Sequence, residues 1–315
     1  MMTYNHEQYI EQAVESALAQ NFDLGYEILI GDDGSTDNTL SLLHELSKRY
    51  ANIRVLSTDK NLGIIPNFLR LIEASRGKYI ALLEGDDYWV DPNKLMDQWK
   101  MLEADSSLAL SVGRTQNRIF WGEKKDRYYL PELLSCYLFH TSTFFFRKRD
   151  TPSFEGLDFM QALDSLLVSF LLEKGDCGFI DRELSYYRRH SQGTWTGSEV
   201  SNQFIETHKI TNLLSKHFNG KFDTELHHRE IWIYTMMVKT ATSKPFYPQY
   251  KRNLLIAKVV VTRNLSFIPV KSILFIIDTV FPIRSLFNFV RFRLKIGTRI
   301  KGLFPNTAGY PDGKK

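Results

Sequence analysis

Apolar residues recur along the first hundred positions in two alternating rhythms. Residues 6–20 place Ile10, Val14, Ala17 and Leu18 at helical spacing, and Asn5 stands where an N-cap would. Residues 27–30 form a short apolar run that breaks at Gly31-Asp32-Asp33-Gly34-Ser35, a turn signal. A second helical pattern over 39–50 carries Leu42, Leu43 and Leu46 on its inner face, and 53–57 reads as a strand. Residues 65–74 read as a helix stopped by Gly77, and 79–83 as a strand running into Glu84-Gly85-Asp86-Asp87. Residues 1–4 read as the end of a further strand. Strands alternating with helices of about ten to fifteen residues predict an α/β fold: a Rossmann-like, mostly parallel sheet flanked by helices. Ligands bind such sheets beyond the carboxyl ends of the strands. The acidic clusters at 32–33 and 84–87 sit at those ends and should face one pocket.

Residues 106–190 are less regular. Strands are expected at 109–112, 143–146 and 178–180, with a helix over 163–173 that ends at Gly175. From Val200 the pattern turns helical. Phe204, Ile205, His208, Leu213 and Leu214 suit one helix, and 231–238 another.

Composition narrows the class. An apolar fraction of 43% over 315 residues supports a buried core and excludes global disorder. The two cysteines, Cys136 and Cys177, have no C-x-x-C spacing, so a reducing compartment is the simpler expectation. The net charge of +4 conceals an asymmetry: residues 251–315 carry thirteen basic residues against Asp278 and Asp312, while 1–250 hold 27 basic and 34 acidic residues. An acidic body argues against a nucleic-acid partner, and a basic tail points to a localised anionic one. No signal peptide and no run of 18 uncharged apolar residues is visible.

Four constellations can carry chemistry. Asp32-Asp33-Gly34-Ser35 at a strand end offers a carboxylate to a base N–H, although an ordinary turn uses the same residues. Glu84-Gly85-Asp86-Asp87 clusters carboxylates that repel one another unless a cation such as Mg²⁺ or Mn²⁺ neutralises them, although a solvated acidic loop looks alike. Asp164 opens a helix, where a first-turn acid is also favoured by the helix dipole. Tyr186-Tyr187-Arg188-Arg189-His190-Ser191 combines a phosphate-pairing arginine with a metal-ligating histidine, though surface cations at a strand end would read the same way.

Taken in order over residues 1–195, these segments resemble the family-2 glycosyltransferases, which have the GT-A fold. Thr3-Tyr4-Asn5-His6 is similar to the family's opening loop, YEILIGDDGS (26–35) to its nucleotide-binding strand and turn, and Asn61-Leu62-Gly63 to the segment before its third helix. YIALLEGDDYW (79–89) is similar to its metal-binding region, Asp164 to its catalytic base and SYYRRHS (185–191) to its late strand and loop. The resemblance implies an inverting, metal-dependent transfer of a sugar from a nucleotide-sugar donor, a UDP-sugar first, to a glycan or lipid-linked acceptor. It implies Thr3, Tyr4, Asn5, Asp33 and Asp86 at the nucleotide, and Asp87, Asp86, Glu84 and His190 at a divalent cation. Arg188 and His140 would serve the diphosphate or the acceptor. Residues 1–200 would form the catalytic domain, with a donor half over 1–105 and an acceptor half over 106–200. A helical extension (201–250) and a helical basic amphipathic tail (251–315) would follow.

Three features depart from the family pattern: Glu84 for the more frequent Asp, Leu163 before Asp164 where Gly is frequent, and most of the first strand missing before Met1. The last feature leads us to expect a start upstream. It also keeps open a truncated or non-catalytic protein that retains the fold for binding. A nucleotidyltransferase ranks last, because no Gly-rich basic loop occurs in residues 1–25. In 251–302, apolar clusters alternate with eleven basic residues, a pattern suited to an anionic membrane surface, although helices packed on the catalytic domain with solvated basic faces would carry it too. The expectation is a cytoplasmic protein, peripheral on the inner face of the cell membrane, making cell-surface polysaccharide or a similar glycan.

Overall fold

The computed structural model describes residues 1–117, 123–136, 138–157, 160, 162–193, 197–198, 200–230 and 233. The expected helix over 231–238, except residue 233, and the tail over 251–315 lie outside the described residues. The elements in chain order are β1 (Met2–Thr3), α1 (Ile10–Leu18), β2 (Ile28–Asp32), α2 (Thr39–Arg49), β3 (Ile53–Leu56), α3 (Ile64–Ala74) and β4 (Tyr79–Ala81). They continue as β5 (Tyr88–Trp89), α4 (Lys94–Ala104), β6 (Leu108–Gln116), β7 (Arg127–Tyr128) and α5 (Leu130–Ser135). The last are β8 (Phe145–Arg147), α6 (Leu163–Leu171), β9 (Asp176–Tyr186) and α7 (Val200–His217).

Strands β3, β2 and β1 run parallel, and Met2 of β1 bridges Glu84 in the same sense. That bridge is a backbone pair: Met2 N–H donates to Leu83 O, and Gly85 N–H donates to Met2 O. It joins the parallel half of the sheet to a second half ordered β4-β8-β6-β9-β5. There β6 and β9 are parallel, while β8 and β5 pair antiparallel with their neighbours.

Parallel strands covered on both faces read as continuous apolar runs, and every residue of β2 is buried. Side chains alternate across the sheet. Leu83 and Phe145 join α1, α2 and α4 through Ile10, Val14, Leu43, Leu46, Leu95 and Leu102. Leu82, Phe144 and Phe146 join α3, α5, α6 and α7 through Ile65, Phe68, Leu134, Leu166 and Leu214. The fold is an α/β sheet with helices on both faces, as the alternation of elements predicts.

Local boundaries differ where the chain serves the loops. The first helix begins at Ile10 with Tyr9 as its N-cap, not at Asn5. Asn5 adopts φ 55° and spends its side chain on a neighbouring loop, where its Oδ1 accepts from Thr36 N–H at 2.7 Å. Helix α4 was not visible as an apolar stripe because its buried face includes Lys94 and Gln98.

The contact between β1 and the 84–87 segment is close enough to require glycine at 85. A Cβ there would lie 2.6 Å from Thr3 Oγ1 and 2.9 Å from His6 Nδ1. Overpacking of this kind costs about 1–3 kcal/mol. Gly85→Ala is therefore expected to lower the denaturant midpoint by a corresponding amount, and an unchanged midpoint would show that the two segments are not pressed together.

Candidate active site

The sheet brings four distant stretches to the carboxyl ends of β1, β2 and β4. The Met2–Glu84 bridge sets Thr3 and His6 against Gly85 and Asp86. The pairing of β5 with β9 sets Tyr88 opposite Tyr186, so that Asp86 and Asp87 meet Arg188 and His190. The pairing of β4 with β8 holds the short turn Thr141–Thr143 next to the same carboxylates.

Each acid at this strand end has a different environment. Asp87 is buried, with Oδ1 accepting from Arg188 N–H at 2.9 Å and Oδ2 lying 3.5 Å from His140 Nδ1. Burial, then the charges of Glu84 and Asp86, push its carboxyl up to about 9. Burial also pushes Glu84 up to about 7; a hydrogen bond from the Thr141 side chain opposes the shift, while the charges of Asp86 and Asp164 add to it. Glu84 Oε2 is buried with no hydrogen-bond partner among the described residues. Burial works against the charge of Asp86 as well, but the hydrogen bond with His190 and the nearby His6 outweigh it and hold that carboxyl below the usual range. Its Oδ2 lies 3.0 Å from His190 Nε2 and 3.8 Å from His6 Nε2.

One ligand atom each from Glu84, Asp87 and His140 lies within 4.8 Å of the others. Oxygen and imidazole donors at that spacing fit a divalent cation, and the unpartnered Glu84 Oε2 gives the group an unused acceptor. The structure thus places His140, expected near the diphosphate or acceptor, with the carboxylates, and places His190 on Asp86. Arg188 is held by the Asp86 carbonyl at 2.7 Å, by Gln12 Oε1 and between the rings of Tyr9 and Tyr88, at 5.0 and 4.9 Å.

At the neighbouring strand end Asp33 is buried, and its two oxygens accept from Leu62 N–H at 2.9 Å and Gly63 N–H at 3.0 Å. It braces the loop that opens α3, where Gly63 has φ 96°, a conformation that favours glycine. Thr3 is buried and bonded to His6 Nδ1 at 3.1 Å, whereas Tyr4 is 41% exposed. Asp164 stands in the first turn of α6, half-buried, and its charge reaches Glu84. Sequence reasoning did not find the parts played by Gln12 and Tyr9, which the folded sheet brings to Arg188, and it set Thr141 beside the acceptor rather than on Glu84.

The raised acids imply a pH dependence for the cation-free protein. A carboxyl whose folded pKa lies above its unfolded value favours the fold when protonated, and that stability is lost as pH rises from the unfolded to the folded value. For Asp87 and Glu84 the window runs from about pH 4 to about 9. We expect the melting temperature of chelator-treated protein to fall across it, and Asp87→Asn to flatten the fall. Equal slopes in the two proteins would contradict the assignment.

An uncharacterised protein of Mycobacterium tuberculosis is 30% identical over 206 residues, 62% of this chain and 59% of that protein. The chain therefore spans less than two thirds of the curated relative it matches. The crystal structure of Staphylococcus aureus TarS in complex with UDP-GlcNAc shares 18% identity at a TM-score of 0.55, covering 71% of this chain and 68% of that one. A mannosyltransferase from Pyrobaculum calidifontis in complex with GDP-Man and Mn²⁺ shares 14% identity at a TM-score of 0.59, covering 83% and 79%. These likenesses establish the GT-A fold. The family model for glycosyl transferase family 2 matches residues 1–162, about half of the chain, and the chain belongs to that family.

Proposed function

We propose that the protein transfers a sugar from a nucleotide-sugar donor, a UDP-sugar first, to an acceptor hydroxyl with inversion, in the making of a cell-surface polysaccharide or similar glycan. The observation that carries this reading is the convergence of Glu84, Asp87 and His140 within 4.8 Å, beside Asp86 and within electrostatic reach of Asp164. The sugar nucleotides bound in the two structural neighbours, UDP-GlcNAc and GDP-Man, support the donor class.

In this mechanism Tyr4 flanks the nucleobase, with Thr3 and Asn5 shaping the loop beneath it. Asp33 contacts the base through the lone pairs that the Leu62 and Gly63 amides leave open. Asp86, oriented by His190, addresses the ribose. Glu84, Asp87 and His140 would hold a divalent cation, Mg²⁺ or Mn²⁺, which supplies charge neutralisation at a departing diphosphate. Arg188, fixed between two rings, keeps Asp87 aimed through its own backbone N–H. Asp164 takes the proton of the acceptor O–H as that oxygen bonds to the anomeric carbon. The bond from that carbon to the diphosphate oxygen breaks on the opposite face, giving inversion. The acceptor is a glycan or a lipid-linked sugar, and the basic stretch 251–302 would bring the enzyme to an anionic membrane surface on the cytoplasmic side.

A positioned general base contributes about 10²–10⁴-fold to rate. Asp164→Asn is expected to lower kcat by about that factor while leaving the donor's affinity within about twofold of wild type, since the carboxylate acts on the acceptor. Full transfer activity in Asp164→Asn would remove it from the mechanism.

A further inference from the structure

A fully buried lysine lies behind the carboxylate cluster. Lys94 opens α4, and buried lysines are rare unless paired. Its Nζ donates to Gln98 Oε1 at 2.7 Å and sits 4.3 Å from the centre of the Trp89 ring. Burial pulls the amine down to about 7, and it donates an N–H to Gln98 in either protonation state.

The bond settles which way the Gln98 amide faces. With Oε1 committed to Lys94, both hydrogens on Nε2 are available, and Nε2 donates to Ser111 O at 3.0 Å and Thr143 O at 2.7 Å. Trp89 Nε1 donates to Ser142 O at 2.8 Å. Two consecutive carbonyls, of Ser142 and Thr143, are thus held by two side chains that Lys94 touches, Trp89 through its ring and Gln98 through a hydrogen bond. The turn they belong to begins at His140, whose Nδ1 lies 2.8 Å from Ser142 Oγ, and Ser142 Oγ continues to Ser185 Oγ at 2.8 Å. From the other side of that turn, Thr141 bonds Glu84 and His140 approaches Asp87.

We propose that Lys94, through Gln98 and with Trp89, is a positioning residue that fixes the 140–143 turn, and so sets the spacing of His140 and Thr141 from Asp87 and Glu84. The inference rests on the reading of Glu84, Asp87 and His140 as a cation site. Lys94 touches none of the three and acts only through the turn. Groups that orient ligands in this way typically carry about 10–100-fold in metal affinity.

The test is Mn²⁺ affinity of the full chain, measured calorimetrically well below the melting temperature, for wild type, Lys94→Met, Trp89→Phe and a destabilising control, Leu46→Ala, in the core under α2. Methionine keeps the apolar stem of lysine and removes the donor. Lys94→Met is expected to bind Mn²⁺ about tenfold more weakly, and Trp89→Phe, which loses the donor to Ser142 O and part of the ring against Lys94, by a smaller factor. Leu46→Ala should bind as wild type does, which separates lost positioning from lost stability. If Lys94→Met does not fold, Trp89→Phe carries the test, and wild-type affinity in that folded variant overturns the proposal. Wild-type affinity in folded Lys94→Met, or an equal loss in Leu46→Ala, also overturns it. No Mn²⁺ binding by folded wild type overturns the underlying cation reading together with this one.

Discussion

Three carboxylates in four positions, taken out of water at the end of one strand, are the arrangement on which the rest of the site depends. Desolvation disfavours the charge on each, and the charge on each disfavours the others. The protein resolves the conflict unequally. Asp86 keeps its charge because His190 and His6 surround it. Asp87 and Glu84 are pushed up towards the protonated form: an amide, a hydroxyl and an imidazole lie near them, the Arg188 charge offsets the shift of Asp87 only in part, and among the described residues no lysine or arginine head pairs with either carboxylate. That imbalance is what a divalent cation would relieve, and it explains why the cluster needs rigid surroundings rather than a flexible loop.

The rigidity comes from the sheet. The Met2–Glu84 bridge fixes one side of the cluster, the β5–β9 pair fixes the second, and the turn before β8 fixes the third. The close approach at Gly85 and the clamped guanidinium of Arg188 leave little room for the acids to move apart. The buried amide of Gln98 belongs to the same scheme, since it holds the turn from behind. Asp33 plays a parallel part at the next strand, where its carboxylate organises the loop before α3.

Much of the donor half was legible in the sequence, for a physical reason. A strand buried on both faces reads as an apolar run, so residues 28–30 of β2 stand out between amphipathic α1 and α2, and the acids at the end of that strand are conspicuous. The misreadings arise where polar groups do structural work. Lys94 and Gln98 lie on the inner face of α4 and mask it, and Asp181, Arg182 and Glu183 are exposed within β9, which made a strand of eleven residues look like three. The choice between His140 and His190 was not readable, because both are far from Asp87 in the chain and only the register of β8 and β9 decides which one meets it.

The central claim is that Asp87 and its neighbours bind a divalent cation and, with it, a nucleotide-sugar donor. The most direct measurement is thermal shift with a small panel of nucleotides, with and without Mn²⁺, on wild type and Asp87→Ala. The account predicts that one nucleotide stabilises the wild type only when Mn²⁺ is present, and that the stabilisation disappears in Asp87→Ala. Stabilisation that persists in the variant, or that is indifferent to Mn²⁺, would contradict it.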